Sequence, residues 1–144
     1  MIIIITGFGK IKETLIVSLD KGEDVLASLE EAIKDNNIKN GLILTGYGTL
    51  DKSTLHMITT TGFPAENYFD KKEQPLEVIS LDGVIADGEL HAHITLSDTE
   101  RAYGGHLEPG CRTLYLFEIV IGILDDIDLV REKDEHDINK LKIK

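Results

Sequence analysis

Three histidines offer the densest chemistry in this 144-residue sequence: His91 and His93, separated by Ala92, and His106 thirteen residues further on. A strand has a side-chain period of two, so it would place His91 and His93 on one face, within ~7 Å. The stretch Tyr103-Gly104-Gly105-His106 carries paired glycines, which permit a sharp turn and close backbone approach. Such a turn would bring His106 back beside the first two. Three imidazole nitrogens suit Zn²⁺ or a similar divalent ion, with one position open for water. The competing reading is a histidine pair hydrogen-bonded on a partly solvated sheet face. His56 stands in a Thr-rich segment as a candidate fourth ligand, and His136, in the charged tail, is expected in solvent.

Glu118 interrupts an apolar run, and a buried carboxylate must be paired, protonated or bound to a metal. Three roles compete for it: base or supporting partner beside the histidines, ion pair with Arg101 or Arg112, or a solvated edge position. Gly7-Phe8-Gly9 follows an isoleucine run and hints at a dinucleotide-binding turn. The third glycine fails, because position 12 is Lys, and Lys10 is followed by Ile11 rather than Ser or Thr. No nucleotide cofactor is expected, and the segment reads as a β-turn. Cys111 lies five residues after His106, but closeness in sequence does not pair them in space. A buried, unreactive thiol is the expected state.

These side chains need elements to hold them. Val25, Leu26, Leu29, Ala32 and Ile33 form one helical stripe, opened by Gly22-Glu23-Asp24 and ended by Asn36-Asn37. The rest reads mostly as strand: Ile2–Ile5, Thr14–Leu19, Gly41–Gly46, Ser53–Thr60, Leu76–Leu81, Val84–Ile85, Leu90–Leu96 and Thr113–Leu124. Asp82-Gly83 and Asp87-Gly88 read as turns, the second of type I′ between hairpin arms. In the tail, Leu141 and Ile143 alternate with lysines, as in an edge strand. The count is about seven or eight strands and one main helix, so the expected class is α+β. One domain covers 1–144, with a core of about 15–124 and an acidic extension over 125–144.

Composition narrows the partners. The chain is 42% hydrophobic and 28% charged, as an ordinary globular domain is. Fifteen basic against 26 acidic residues leave a net charge of −11. That balance opposes phosphate-driven nucleic-acid binding and attachment to anionic membranes. A single cysteine fits a reducing compartment, and no apolar run approaches the ~18 residues of a membrane-spanning helix. The first residues are not expected to act as a signal peptide, and a cytoplasmic location is expected.

Four blocks in order carry a family resemblance: Pro75-Leu76-Glu77-Val78-Ile79-Ser80-Leu81-Asp82-Gly83, His91-Ala92-His93-Ile94-Thr95-Leu96-Ser97-Asp98, Gly104-Gly105-His106-Leu107 and Glu118-Ile119-Val120-Ile121. Together, over roughly Leu15–Leu124, they resemble the plant-and-prokaryote conserved (PPC) domain in its stand-alone prokaryotic form. The resemblance implies a single mostly antiparallel sheet of about seven strands with one main packed helix, a homotrimer, and a metal site on the positions of His91, His93 and His106. Gly104, Gly105 and Glu118 are the further candidates for ligand binding, with Glu118 the candidate catalytic group. Plant relatives join the domain to AT-hook peptides that bind DNA. This chain has no Arg-Gly-Arg-Pro core, so the minor-groove reader is missing.

The expected function is a small regulatory module with a histidine-lined site for a divalent metal or a small ligand. Two alternatives stand beside it: a DNA-associated protein, as the family label suggests, and a metal-dependent hydrolase using metal-bound water with Glu118 as base.

Overall fold

The computed structural model describes residues 4–144. The chain runs β1 (Lys10–Asp20), α1 (Val25–Asp35), β2 (Gly41–Ile58), β3 (Asn67–Ala86), β4 (Glu89–Ser97), β5 (Ala102–Leu107), β6 (Arg112–Asp125), β7 (Leu129–Lys133) and β8 (Asn139–Ile143). Six strands form one antiparallel sheet in the order β1-β6-β2-β3-β4-β5, and β7 with β8 forms a separate two-stranded sheet. The class is therefore α+β as expected, but the single sheet of about seven strands is corrected to six plus two. The tail strand Leu141–Ile143 belongs to the separate hairpin and does not extend the main sheet.

α1 follows its local signals. The Asp24 carboxylate accepts a hydrogen bond from the Ala27 N–H at 3.0 Å, which caps the first turn. Its other oxygen accepts from the Gly110 N–H at 2.7 Å, tying the helix start to the β5–β6 connection. Val25, Leu29 and Ile33 are the buried stripe. Asn37 ends the helix with φ 52°, a left-handed conformation that asparagine tolerates.

The strands are longer than composition suggested. Gly41–Gly46 and all but the last two residues of Ser53–Thr60 belong to one strand, β2, which irregularities near Thr45, Thr49 and Asp51 bend rather than break. Leu76–Leu81 and Val84–Ile85 likewise fuse within β3. Asp82-Gly83 is not a turn: the two residues pair with His93 and Ala92 across the ladder. Asp87-Gly88 is the turn, with φ of 48° and 81°. Of the Ile2–Ile5 strand, Ile2 and Ile3 lie outside the described residues, and Ile4 and Ile5 carry no strand.

Because β5 also pairs with β2, strands β2, β3, β4 and β5 close into a ring. Leu50, Leu55, Leu81, Ile94, Leu96 and Leu107 fill its interior, each at most 1% exposed. The alternate side chains of the same strands face outward, and that outer face carries the polar cluster.

Candidate metal centre

Ladder register builds the cluster. His56 of β2 lies opposite His106 of β5, and His106 lies opposite His93 of β4, which lies opposite Asp82 of β3. Directly opposed residues share a face, so this row of side chains runs across four strands on the outside of the ring. His91 joins from two residues along β4 and Glu108 from two residues beyond His106.

The rings are close. His106 is the hub: its centroid lies 4.4 Å from His56, 4.7 Å from His91 and 5.6 Å from His93. The Nε2 atoms of His91 and His93 face each other at 3.3 Å. One oxygen of Glu108 lies 2.5 Å from Nδ1 of His56 and 3.0 Å from Nδ1 of His106. A carboxylate only accepts hydrogen bonds, so it favours a proton on each of these Nδ1 atoms and leaves each Nε2 lone pair available. Carboxylate-held histidines of this kind are the usual support of metal-binding imidazoles. Among the described residues, His56, His106 and Glu108 are the group of three whose ligand atoms all lie within 4.8 Å of one another, and they share His106 with the expected His91 and His93 set.

Burial disfavours the charged form of His91 and of His106. Burial, reinforced by the charge of Arg131 and by the other histidines, pushes His91 down to about 4. His106 is lowered as well, by burial first and then by His56, against the opposing pull of Glu108. Neutral imidazole is the ligating form.

The glycines before His106 do not turn the chain. Gly104 and Gly105 are strand residues of β5, paired with Thr95 and Ile94. A Cβ on Gly104 would stand 2.5 Å from the Ile94 carbonyl oxygen, and one on Gly105 would stand 2.6 Å from that of His56. Both contacts are with backbone, so the glycines serve close strand packing, and His106 arrives by strand pairing.

Glu118 is elsewhere. It lies on β6 opposite Tyr47, whose hydroxyl donates a hydrogen bond to its carboxylate. Tyr47 precedes His56 by nine residues of β2, roughly 25–30 Å at a strand's rise. The placement of Glu118 beside the histidines is corrected, and a hydrolase reading loses its base. The ion-pair alternative fails too, since Arg112 makes two 2.8 Å bonds to Asp51 and Arg101 lies over the Tyr103 ring. Cys111 is fully buried, bonded to the Thr54 backbone, and pushed up to about 11 by burial. His136 is exposed and stacks on Phe63 at 3.8 Å.

Sequence reading missed Glu108 as part of the site. The period-two rule applied to His91 and His93 would have found it once Gly104–Leu107 was read as strand.

Residues 6–125 match the Plants and Prokaryotes Conserved domain family. A PPC protein from Pyrococcus horikoshii superposes with a TM-score of 0.82 at 23% identity, covering 96% of this chain and 97% of its own. A metal-containing protein from Archaeoglobus fulgidus gives 0.81 at 21%, covering 93% and 95%. A protein from Bacteroides thetaiotaomicron, provisionally named as DNA-binding, gives 0.81 at 22%, covering 92% and 94%. These likenesses establish the fold. In sequence, a Synechococcus protein named bifunctional protein GlmU is 28% identical over 114 residues, 78% of this chain. The chain spans only 17% of that relative's length.

Proposed function

The chain belongs to the Plants and Prokaryotes Conserved domain family, and from that membership we propose a cytosolic, homotrimeric regulatory module that holds a divalent metal ion, zinc or a similar one. The ligands are Nε2 of His91, His93 and His106, and Glu108 with His56 supports the third. One observation carries the reading: the 3.3 Å separation of the His91 and His93 Nε2 atoms. Two nitrogens each ~2.05 Å from a tetrahedral ion lie about 3.3 Å apart. With Glu108 holding Nδ1 of His106, the third imidazole keeps its Nε2 for the same ion. The metal-containing relative from Archaeoglobus fulgidus adds support.

Assembly rests on the family and on the outer face of the main sheet. Ile16, Leu44, Tyr47, Ile79 and Leu116 are each at least 42% exposed there. Apolar patches of this kind mark interfaces. Duplex DNA is a poor partner for a surface carrying −11 per chain. Any affinity seen in a gel shift should be absent at physiological salt.

The test is elemental analysis of protein purified without an affinity tag, joined to melting with Zn²⁺ and with chelator. Wild type should carry metal and melt lower with chelator. His93→Ala should lose the response and His136→Ala should keep it. A wild-type melt indifferent to both additions, with no metal bound, removes the reading.

A further inference from the structure

α1 covers one face of the main sheet at β1 and β6, where Val25, Leu29 and Ile33 join Phe117, Ile119 and Ile121 in the core. The alternate residues of β6 point to the other face, which stays open to solvent. Ile11, Ile16, Leu44, Tyr47, Ile79 and Leu116 there are each at least 42% exposed. Glu118 stands among them, flanked across the ladders by Ser18 and Tyr47. Asp20, opposite Leu116, and Glu77, opposite Thr49, lie at the margins, so this face is apolar and acidic.

A second apolar region lies at the far end of β2. There β2 pairs with β6 only as far as Lys52 and with β5 only as far as His56, while β4 meets β3 from Glu77 onward. From Met57 to Tyr68 the β2–β3 hairpin therefore runs as two strands alone, an arrangement that holds poorly in water without a covering surface. Ile58, Phe63, Tyr68 and Phe69 on this arm are each at least 54% exposed. Lys71 continues the face of Ile58 and Phe69, because Thr54 opposes Lys71, His56 opposes Phe69 and Ile58 opposes Asn67. Lys52 and Lys72 are paired with Glu73 and Asp70, and Lys71 is left without a carboxylate among the described residues. The arm is apolar and basic.

The two regions match in charge, but Tyr47 and His56 are roughly 25–30 Å apart along β2, so one chain cannot bring them together. They meet only between copies. A three-fold ring requires that kind of contact, in which one patch of a protomer meets a different patch of the next. We propose, building on the trimer reading above, that the β2–β3 arm of each protomer lies across the open sheet face of the next, with its Lys71 paired to Glu118 of the partner subunit. Within its own chain Glu118 already accepts a hydrogen bond from the Tyr47 hydroxyl, which fixes the carboxylate and leaves acceptor sites for an ammonium group. A carboxylate covered by an apolar arm needs such a partner. His56 and Phe69 stand at the base of the arm, so assembly seats the neighbouring copy at the rim of the histidine cluster.

The experiment measures the mass of the full chain by light scattering over a dilution series. Wild type should be trimeric. Lys71→Glu and Glu118→Lys should each weaken assembly by about tenfold or more, and the double variant, which restores opposite charges, should recover most of the loss. Ile58→Asp, on the arm, should dissociate the trimer as Ile16→Lys does on the sheet face. Lys71 and Ile58 are exposed, so those two variants decide the matter if Glu118→Lys does not fold. Arm variants that assemble as tightly as wild type, or a double variant no tighter than either single change, would overturn the proposal alone. A wild-type monomer or dimer would overturn it together with the trimer reading.

Discussion

Gly105 and His56 meet backbone to backbone: a Cβ on Gly105 would stand 2.6 Å from the His56 carbonyl oxygen. This contact sits where β5 closes the ring against β2, and the closure consists of just the pairs Leu55–Leu107 and His56–His106. The position of His106 beside His56 therefore depends on the missing side chain.

Gly105→Val should open that closure. The expected cost is ~1–3 kcal/mol of stability from overpacking, with loss of metal uptake. Gly62→Val is the control, because nothing lies within 4 Å of a Cβ there. Thermal melts and metal content for both variants check this. A Gly105→Val protein that binds metal normally would show that ring closure is dispensable.

Glu108→Ala should reduce metal affinity by about 10–100-fold without removing any of the three proposed ligands. It frees the imidazoles of His56 and His106 to rotate and to exchange tautomers. Glu108→Gln should lose less, since the amide oxygen still accepts one hydrogen bond. Competition with a chromophoric chelator measures both.

Stability should fall on acidification before most carboxylates titrate. His91 is held down to about 4 and His106 is also lowered, both chiefly by burial. The unfolded chain takes up protons near the ordinary imidazole pKa of about 6.5, which the folded chain resists. The stability this contributes is fully present above about 6.5 and is lost progressively as pH falls toward about 4. Melts of metal-free protein across that range should decline, and His91→Gln should flatten the decline. A wild-type melting temperature constant over the range would contradict it.

Cys111 should be inert in the native protein. It is fully buried and its thiol is pushed up to about 11, so almost no thiolate exists at neutral pH. An aromatic disulfide reagent should label it only after denaturant is added. Rapid native labelling would place it outside the core.

Ile16→Lys should dissociate the proposed trimer. Ile16 is 67% exposed on the open face of β1, and a buried ammonium there would lack a partner. Light scattering should report about 48 kDa for wild type, three chains of 16.0 kDa, and a lower mass for the variant. A monomeric wild type would remove the assembly proposal.

Local pattern made several elements legible. The apolar stripe of α1 and the Asp24 cap act within a few residues, as do the Asp87-Gly88 turn and the shared face of His91 and His93. Each depends on backbone periods and turn conformations that neighbouring residues decide among themselves. Lengths were less legible. β2 and β3 continue through residues that read as breaks, because ladder hydrogen bonds outweigh the weak preferences of Gly46, Gly48 and Asp82-Gly83.

The composition of the site was decided by register between distant strands. His56 meets His106 across fifty residues of sequence, and Glu118 is drawn away to Tyr47. Sequence alone put His91 and His93 on one face, where a period of two is enough, and named His106 and His56 as candidates without the pairing that brings them there. Which other groups share their face depends on the pairing of β5 with both β4 and β2, and that pairing follows from packing of the whole ring, with Gly104 and Gly105 small enough to let three backbones come together.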